Sequence, residues 1–170
     1  GVAVVACSIL GLGQIVHAAT ASESPAVAVF NNFDHGDIGA DLSVNNSYLS
    51  GDPFSYVTAS GGLTFDTAHA VTADGSSLRV SKNWSYLSWN TNVLGTHTTP
   101  VHASVDVWFD SVPTTTVRLI QFNNETSRVA HIEVLGGTGR IRVVDGFYGS
   151  TASTATITPG QWTRISASIS

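Results

Sequence analysis

Thiols are all but absent from this chain: among 170 residues there is a single cysteine, Cys7, and it lies in a segment expected to be removed or membrane-inserted. The folded part is therefore expected to hold no disulfide, no thiol redox chemistry and no cysteine-based zinc site. Charge is scarce as well. Only 11% of the residues are charged, well under the usual quarter, so solubility must come from the abundant Ser, Thr, Gly and Ala rather than from ions. Extracellular β-proteins often have this composition. With one lysine, Lys82, and a formal charge of -5, the chain has no basic stretch able to neutralise a run of phosphates, which argues against nucleic acid as a partner. Arg118, Arg128, Arg140 and Arg142 are scattered and could at most hold one small anion. A Gly-x-Ser-x-Gly elbow, a His-Glu-x-x-His helix and a phosphate-cradling glycine loop are missing too.

What the chain does have is alternation. In residues 101–110, Ala103, Val105, Val107 and Phe109 fall on one side of an extended chain, and His102, Ser104, Asp106, Trp108 and Asp110 on the other. Pro113 closes that run in a turn. Ala130, Ile132 and Val134 interleave with His131 and Glu133, and Ile141 and Val143 with Arg140 and Arg142. This is the pattern of strands with one face buried and one face wet, and the length suits one domain with a real core.

Residues 2–16 form a nearly uninterrupted apolar run followed by small residues, the pattern of a secretory signal peptide. Cuts after Ala18 or after Ala21 both satisfy the small-x-small rule, so residues 1–21 are expected to be a leader and the protein to be secreted. A membrane anchor at the cell surface is the alternative, and Cys7 loosely matches an acylated lipobox. Gly1 stands where an initiator would, so the sequence is expected to begin within a reading frame. Residues 22–26 read as a linker, and the domain proper as 27–170.

Within the domain, residues 27–33 read as a first strand. Asp34, Gly36, Asp37, Gly39 and Asp41 follow in an acidic, glycine-rich stretch that fits a tight turn, although such carboxylates can also ligate calcium. Residues 41–62 read as a long loop with one short strand around 55–59. Further strands are expected at 62–65, 76–81, 117–122, 151–157 and 162–169, with Gly136-Gly137-Thr138-Gly139 as a hairpin turn. If residues 84–89 are extended, Trp84 and Tyr86 project on one side and Leu87 and Trp89 on the other. An exposed aromatic pair would suit the apolar face of a sugar ring, but ordinary core packing is the expectation. The last strand runs to the end of the sequence, and the domain is expected to be incomplete at its C-terminus. Asn45-x-Ser47, Asn83-x-Ser85 and Asn124-x-Thr126 fit glycosylation sequons.

Strands about ten residues apart, with turn signals between them, predict an all-β antiparallel sandwich or barrel. Phe33-Asp34-x-Gly36, Gly75-Ser76-Ser77-Leu78-Arg79-Val80, Val105-Asp106-Val107-Trp108-Phe109-Asp110-Ser111-Val112-Pro113 and Thr158-Pro159-Gly160-Gln161-Trp162-Thr163-Arg164-Ile165 occur in that order. From about Phe30 onward this succession resembles the concanavalin A-like lectin/glucanase superfamily, in its bacterial secreted laminin-G-like form. The resemblance implies a jelly-roll β-sandwich with a concave sugar- or peptide-binding sheet and further strands after Ser170. It also implies a structural calcium ion, for which Asp34 matches the first ligand. Retaining glycosidases of that superfamily need paired acids about 5 Å apart, and Glu23, Glu125 and Glu133 do not make such a group. Ala130-His131-Ile132-Glu133 is likewise not the Gln-Ile-His strand of the alginate lyases.

The candidate ligand-binding residues are those on the wet side of the alternating runs: Asp106, Trp108, His131, Glu133, Arg140 and Arg142. Were their strands neighbours, they would form one polar floor with an aromatic ring, suited to an extracellular polysaccharide. Pairing of Glu133 with Arg142 or Arg140 would use the same residues for modest stability alone. The expectation is a non-catalytic, lectin-like domain, with a laminin-G-like adhesion or structural module as the alternative and a polysaccharide-degrading enzyme third.

Overall fold

The computed structural model describes residues 3–8, 29–58, 62–73, 75–81, 85–89, 101–123, 127–146 and 149–169. Most of the leader, the linker, Lys82, Trp84, and the sequons at Asn83 and Asn124 therefore lie outside the described residues. The architecture is all-β and antiparallel, as the alternation predicts. Its strands are β1 (Ala3–Ser8), β2 (Phe30–Asn31), β3 (Tyr56–Thr58), β4 (Leu63–Asp66), β5 (Ser77–Val80), β6 (Tyr86–Ser88), β7 (Val101–Phe109), β8 (Val117–Asn123), β9 (Arg128–Val134), β10 (Arg140–Asp145), β11 (Gly149–Thr156) and β12 (Trp162–Ile169). A 3-10 turn, Ser47–Ser50, interrupts the long loop. Among the described residues no helix is long and apolar enough to cross a membrane.

The strands form a first sheet in the order β12-β7-β1-β5-β4, with β2 beside β1, a second sheet in the order β11-β10-β9-β8, and a small sheet of β3 and β6. This differs from the single floor considered for residues 101–144. β7 pairs with β12 and β1, whereas β8, β9 and β10 pair among themselves. Alternation fixes which face a residue occupies but not which strand lies alongside, so neighbours remote in sequence are not visible in it. The β9–β10 hairpin turns where the glycines lie. Gly137 and Gly139 take φ of 73° and 67°, values that residues with a Cβ rarely adopt.

Residues 3–8, part of the run read as a leader, form β1 between β5 and β7. A cut after Ala18 or Ala21 would remove that strand and leave the facing edges of β5 and β7 open.

The core has two parts. Val105, Val107, Phe109 and Ile165 of the first sheet pack with Ile132 and Val134 of the second and with Ile157, all buried. The faces predicted dry for β7 and β9 thus meet each other. The other part surrounds Phe33, Leu42, Phe54, Leu63, Phe65 and Leu78, with Leu87 and Trp89 packed against it. Here Phe54 stacks between Phe33 (centroids 5.9 Å apart) and Trp89 (4.4 Å), so the loop and the small sheet are joined to β4 and β5 through aromatic rings. Asn31, fully buried, organises this loop from below. Its Nδ2 donates to the carbonyls of Ser47 (2.6 Å) and Asp52 (3.2 Å) and its Oδ1 accepts from the Phe33 amide (3.1 Å). These bonds hold Phe33 at φ 62°, a left-handed conformation rare for a bulky residue. The carbonyl of Phe33 in turn accepts from Ser76 Oγ.

Candidate functional site

Strand alternation and the two core parts together decide where the six candidate residues lie. On β7 the core takes Val105 and Val107, so Asp106 and Trp108 lie on the outer face of the first sheet. On β9 the core takes Ile132 and Val134, so His131 and Glu133 lie on the outer face of the second. The candidates therefore form two groups on opposite sides of the molecule, and no common floor exists.

On the second sheet, the register sets Glu133 between Arg118 of β8 and Arg142 of β10, and His131 between Gln121 and Val144. Of the two arginines weighed for Glu133, it is Arg142 that pairs: its Nε donates to Glu133 Oε1 at 2.6 Å and its Nη2 contacts the same oxygen. Arg140 turns instead to the Ser153 carbonyl through Nε (3.1 Å) and Nη2 (2.9 Å). His131 Nε2 is 3.2 Å from Glu133 Oε2, and among the described residues His131 Nδ1 has no partner. Both residues are nearly inaccessible, at 3% and 5%. This group is a buried ion pair with an attached imidazole, closer to the structural alternative than to an open sugar floor.

Burial, and after it the positive charge of Arg118, pushes the His131 pKa below its ordinary value. The charge of Glu133 and its hydrogen bond pull the other way, and Arg128 adds a push downward smaller than the pull of the Glu133 charge. An unfolded chain binds a proton near pH 6.5 that the native imidazole refuses. Stability is therefore retained above that pH and falls as pH drops from about 6.5 towards the lower native pKa. Urea titrations at pH 7.5, 6.5 and 5.5 should show this fall, and His131→Gln should flatten it; an unchanged slope in the variant would assign the loss to other groups.

On the first sheet, β7 and β12 place four cross-strand pairs on the outer face: Trp162 beside Trp108, Arg164 beside Asp106, Ser166 beside Ser104 and Ser168 beside His102, with Ser104 itself buried. From residue 102 to 108 this row is about 20 Å long. Arg164 grips Asp106 with both ends of its fork, Nε to Oδ1 at 2.8 Å and Nη2 to Oδ2 at 2.6 Å, and Asp106 holds the guanidinium pKa above its usual value. The Arg164 side chain is 57% exposed, so the pair adds only about 1 kcal/mol or less to stability. What it does achieve is orientation: a planar, outward guanidinium with donors to spare.

Trp108 closes the row. Its Nε1 donates to Asp110 Oδ1 (3.0 Å), its ring meets Trp162 edge-on (6.0 Å), and the imidazole of His69 stacks on it at 4.3 Å. His69 Nε2 also reaches Asp110 Oδ1, at 3.1 Å, and Trp162 Nε1 donates to the Ala70 carbonyl at 3.1 Å. Arg164, Trp162, Asp110 and His69 are thus the neighbours of Asp106 and Trp108 that were not among the candidates. Three of the four were legible as wet positions of strands or strand ends. His69 comes from a loop without periodicity.

Two further expectations can be placed. Tyr86 is exposed while Leu87 and Trp89 face the core, as an extended segment requires, and the partner of Tyr86 is Tyr56 of β3, with ring centroids 5.6 Å apart. Residues 34–39 form turns: Ala40 N donates to the Asp37 carbonyl (2.9 Å) and Gly39 N to that of Phe65 (2.8 Å). Asp34 accepts a hydrogen bond from Asn32 Nδ2. Among the described residues no three His, Cys, Asp or Glu side chains converge as metal ligands.

Comparison with known proteins returns no matching family model, no matching curated protein and no matching solved structure.

Proposed function

We propose that this chain is a secreted, non-catalytic carbohydrate-binding domain, a jelly-roll sandwich of the concanavalin A-like, laminin-G-like kind, and that its glycan lies along the outer face of β7 and β12. The observation that carries the reading is the four-pair row. It combines aromatic rings at one end, a fixed guanidinium–carboxylate pair in the middle and hydroxyls with an imidazole beyond. Extended polysaccharides offer apolar C–H faces for rings and hydroxyls for such polar groups. Binding is favoured over glycoside hydrolysis because Asp106 and Glu133, the candidate acids, are each held by an arginine and lie on different sheets.

A glycan array followed by pull-down on insoluble polysaccharides tests this. Specific retention is expected, weakened roughly tenfold or more by Arg164→Ala or Trp108→Ala, with circular dichroism unchanged. Retention that survives both substitutions would move the site elsewhere. No retention of any glycan would favour the laminin-G-like adhesion reading, for which the exposed Tyr56–Tyr86 pair offers a protein-facing surface.

A further inference from the structure

Resting on the reading above, we infer that His69 caps a ring-binding subsite on Trp108, and that a pyranose ring of the glycan takes the place of the imidazole when it binds. His69 lies nearly parallel to the indole, 18° off plane with centroids 4.3 Å apart. That is the placement a flat sugar face would adopt, so a glycan cannot use the same face while the imidazole covers it.

The contact is built to be exchanged. Asp110 Oδ1 accepts from Trp108 Nε1 and also lies 3.1 Å from His69 Nε2. When His69 leaves, Trp108 keeps its hydrogen bond and its orientation, and the carboxylate gains an open site for a ligand hydroxyl. The vacated subsite thus has an apolar plate with a charged acceptor at its rim.

The loop that carries His69 is lightly held. Thr67, Ala68, Val71, Thr72 and Ala73 are exposed, and the loop walls an open hollow of about 460 Å³ lined by Thr67, Ala70, Val71, Thr72, Ala73 and Gly75. The loop is tied to the sheet below by a hydrogen bond from the Ala68 amide to Asp66 Oδ1 (2.7 Å) and by a second from Trp162 Nε1 to the Ala70 carbonyl, beside the His69–Asp110 contact. Because that second bond anchors the loop one residue beyond His69, the imidazole can swing away while Ala70 stays in place. Substrate selection follows from this arrangement: a ligand must offer a face flat enough to replace an imidazole and a hydroxyl to meet Asp110. Equatorially substituted pyranosides satisfy both, whereas puckered, axially crowded rings do not.

The experiment uses the whole chain and two readouts. In acrylamide quenching of tryptophan fluorescence, His69→Ala should raise quenching relative to wild type, and the increase should vanish in a Trp108→Phe background. In affinity electrophoresis through laminarin and through barley β-glucan, His69→Ala should be retarded roughly threefold to tenfold more strongly than wild type, as expected if ring-on-ring stacking no longer competes. Retardation of the variant alone would also support the cap. Equal retardation of the two proteins, or weaker retardation of the variant, would overturn the cap and leave the glycan-binding reading intact. No retardation of either protein, in both glucans, would overturn the cap, while the array decides the broader reading separately.

Discussion

Phe54→Ala should cost about 3–5 kcal/mol of folding stability, the usual loss for truncating a buried aromatic ring. Phe54 is 1% exposed and touches rings on both sides, Phe33 and Trp89. No neighbour can fill the gap without leaving its own contacts, so the cavity persists. For a chain of this size the loss corresponds to a fall in melting temperature of about 10 °C, readable by calorimetry. The specific consequence is local. Because the stack joins the loop and the small sheet to β4 and β5, amide exchange should quicken over residues 29–58 and 85–89 beyond the global change. A loss below about 1 kcal/mol would mean that the stack is not part of the core.

The second large effect is expected at Glu133. Truncation to alanine removes the carboxylate that accepts from Arg142 and His131, leaving the nearly inaccessible imidazole and the partly buried guanidinium without it. Breaking a buried pair from one side costs about 3–5 kcal/mol, since the remaining partner keeps its desolvation penalty. The Arg142 side chain is one-third exposed and can turn to water, which sets the expectation at about 3 kcal/mol. A double-mutant cycle of Glu133→Ala with Arg142→Ala separates the two contributions: the double variant should be less destabilised than the sum of the singles. Additive losses would show that the two side chains do not depend on each other.

The paired effects at Phe54 and Glu133 mark what the sequence makes legible. Strand positions were readable where apolar and polar residues take turns, and faces in part: Val105 and Ile132 are buried where alternation puts them and Leu87 and Trp89 are half-buried while Tyr86 is exposed, but Val143 is exposed and Ser104, His131 and Glu133, on the sides read as wet, are buried. Glu133 and Arg142 were readable as a pair because a glycine hairpin forces β9 and β10 together, and hairpin partners are near in sequence. Asp106 and Arg164 lie 58 residues apart, and nothing local selects one strand over another as the neighbour of β7. The single floor that neighbouring strands would have made does not form for that reason. Of the expected first strand, residues 27 and 28 lie outside the described residues and the described part pairs only at Phe30–Asn31; beyond it Asn31 spends its side chain on loop backbone and Phe33 turns left-handed, neither of which leaves a trace in hydropathy. His69 was invisible for a related reason: a ring from an irregular loop reaches the sheet only because the fold carries it there.

Glycan binding on the outer face of β7 and β12 is the claim on which the functional account rests. Hydrogen–deuterium exchange on the chain, alone and saturated with a polysaccharide retained in the array, tests it most directly. Slowed exchange in residues 102–110 and 162–168 together with the 67–73 loop is the predicted footprint. Protection confined to residues 117–156, on the opposite side of the molecule, would contradict it.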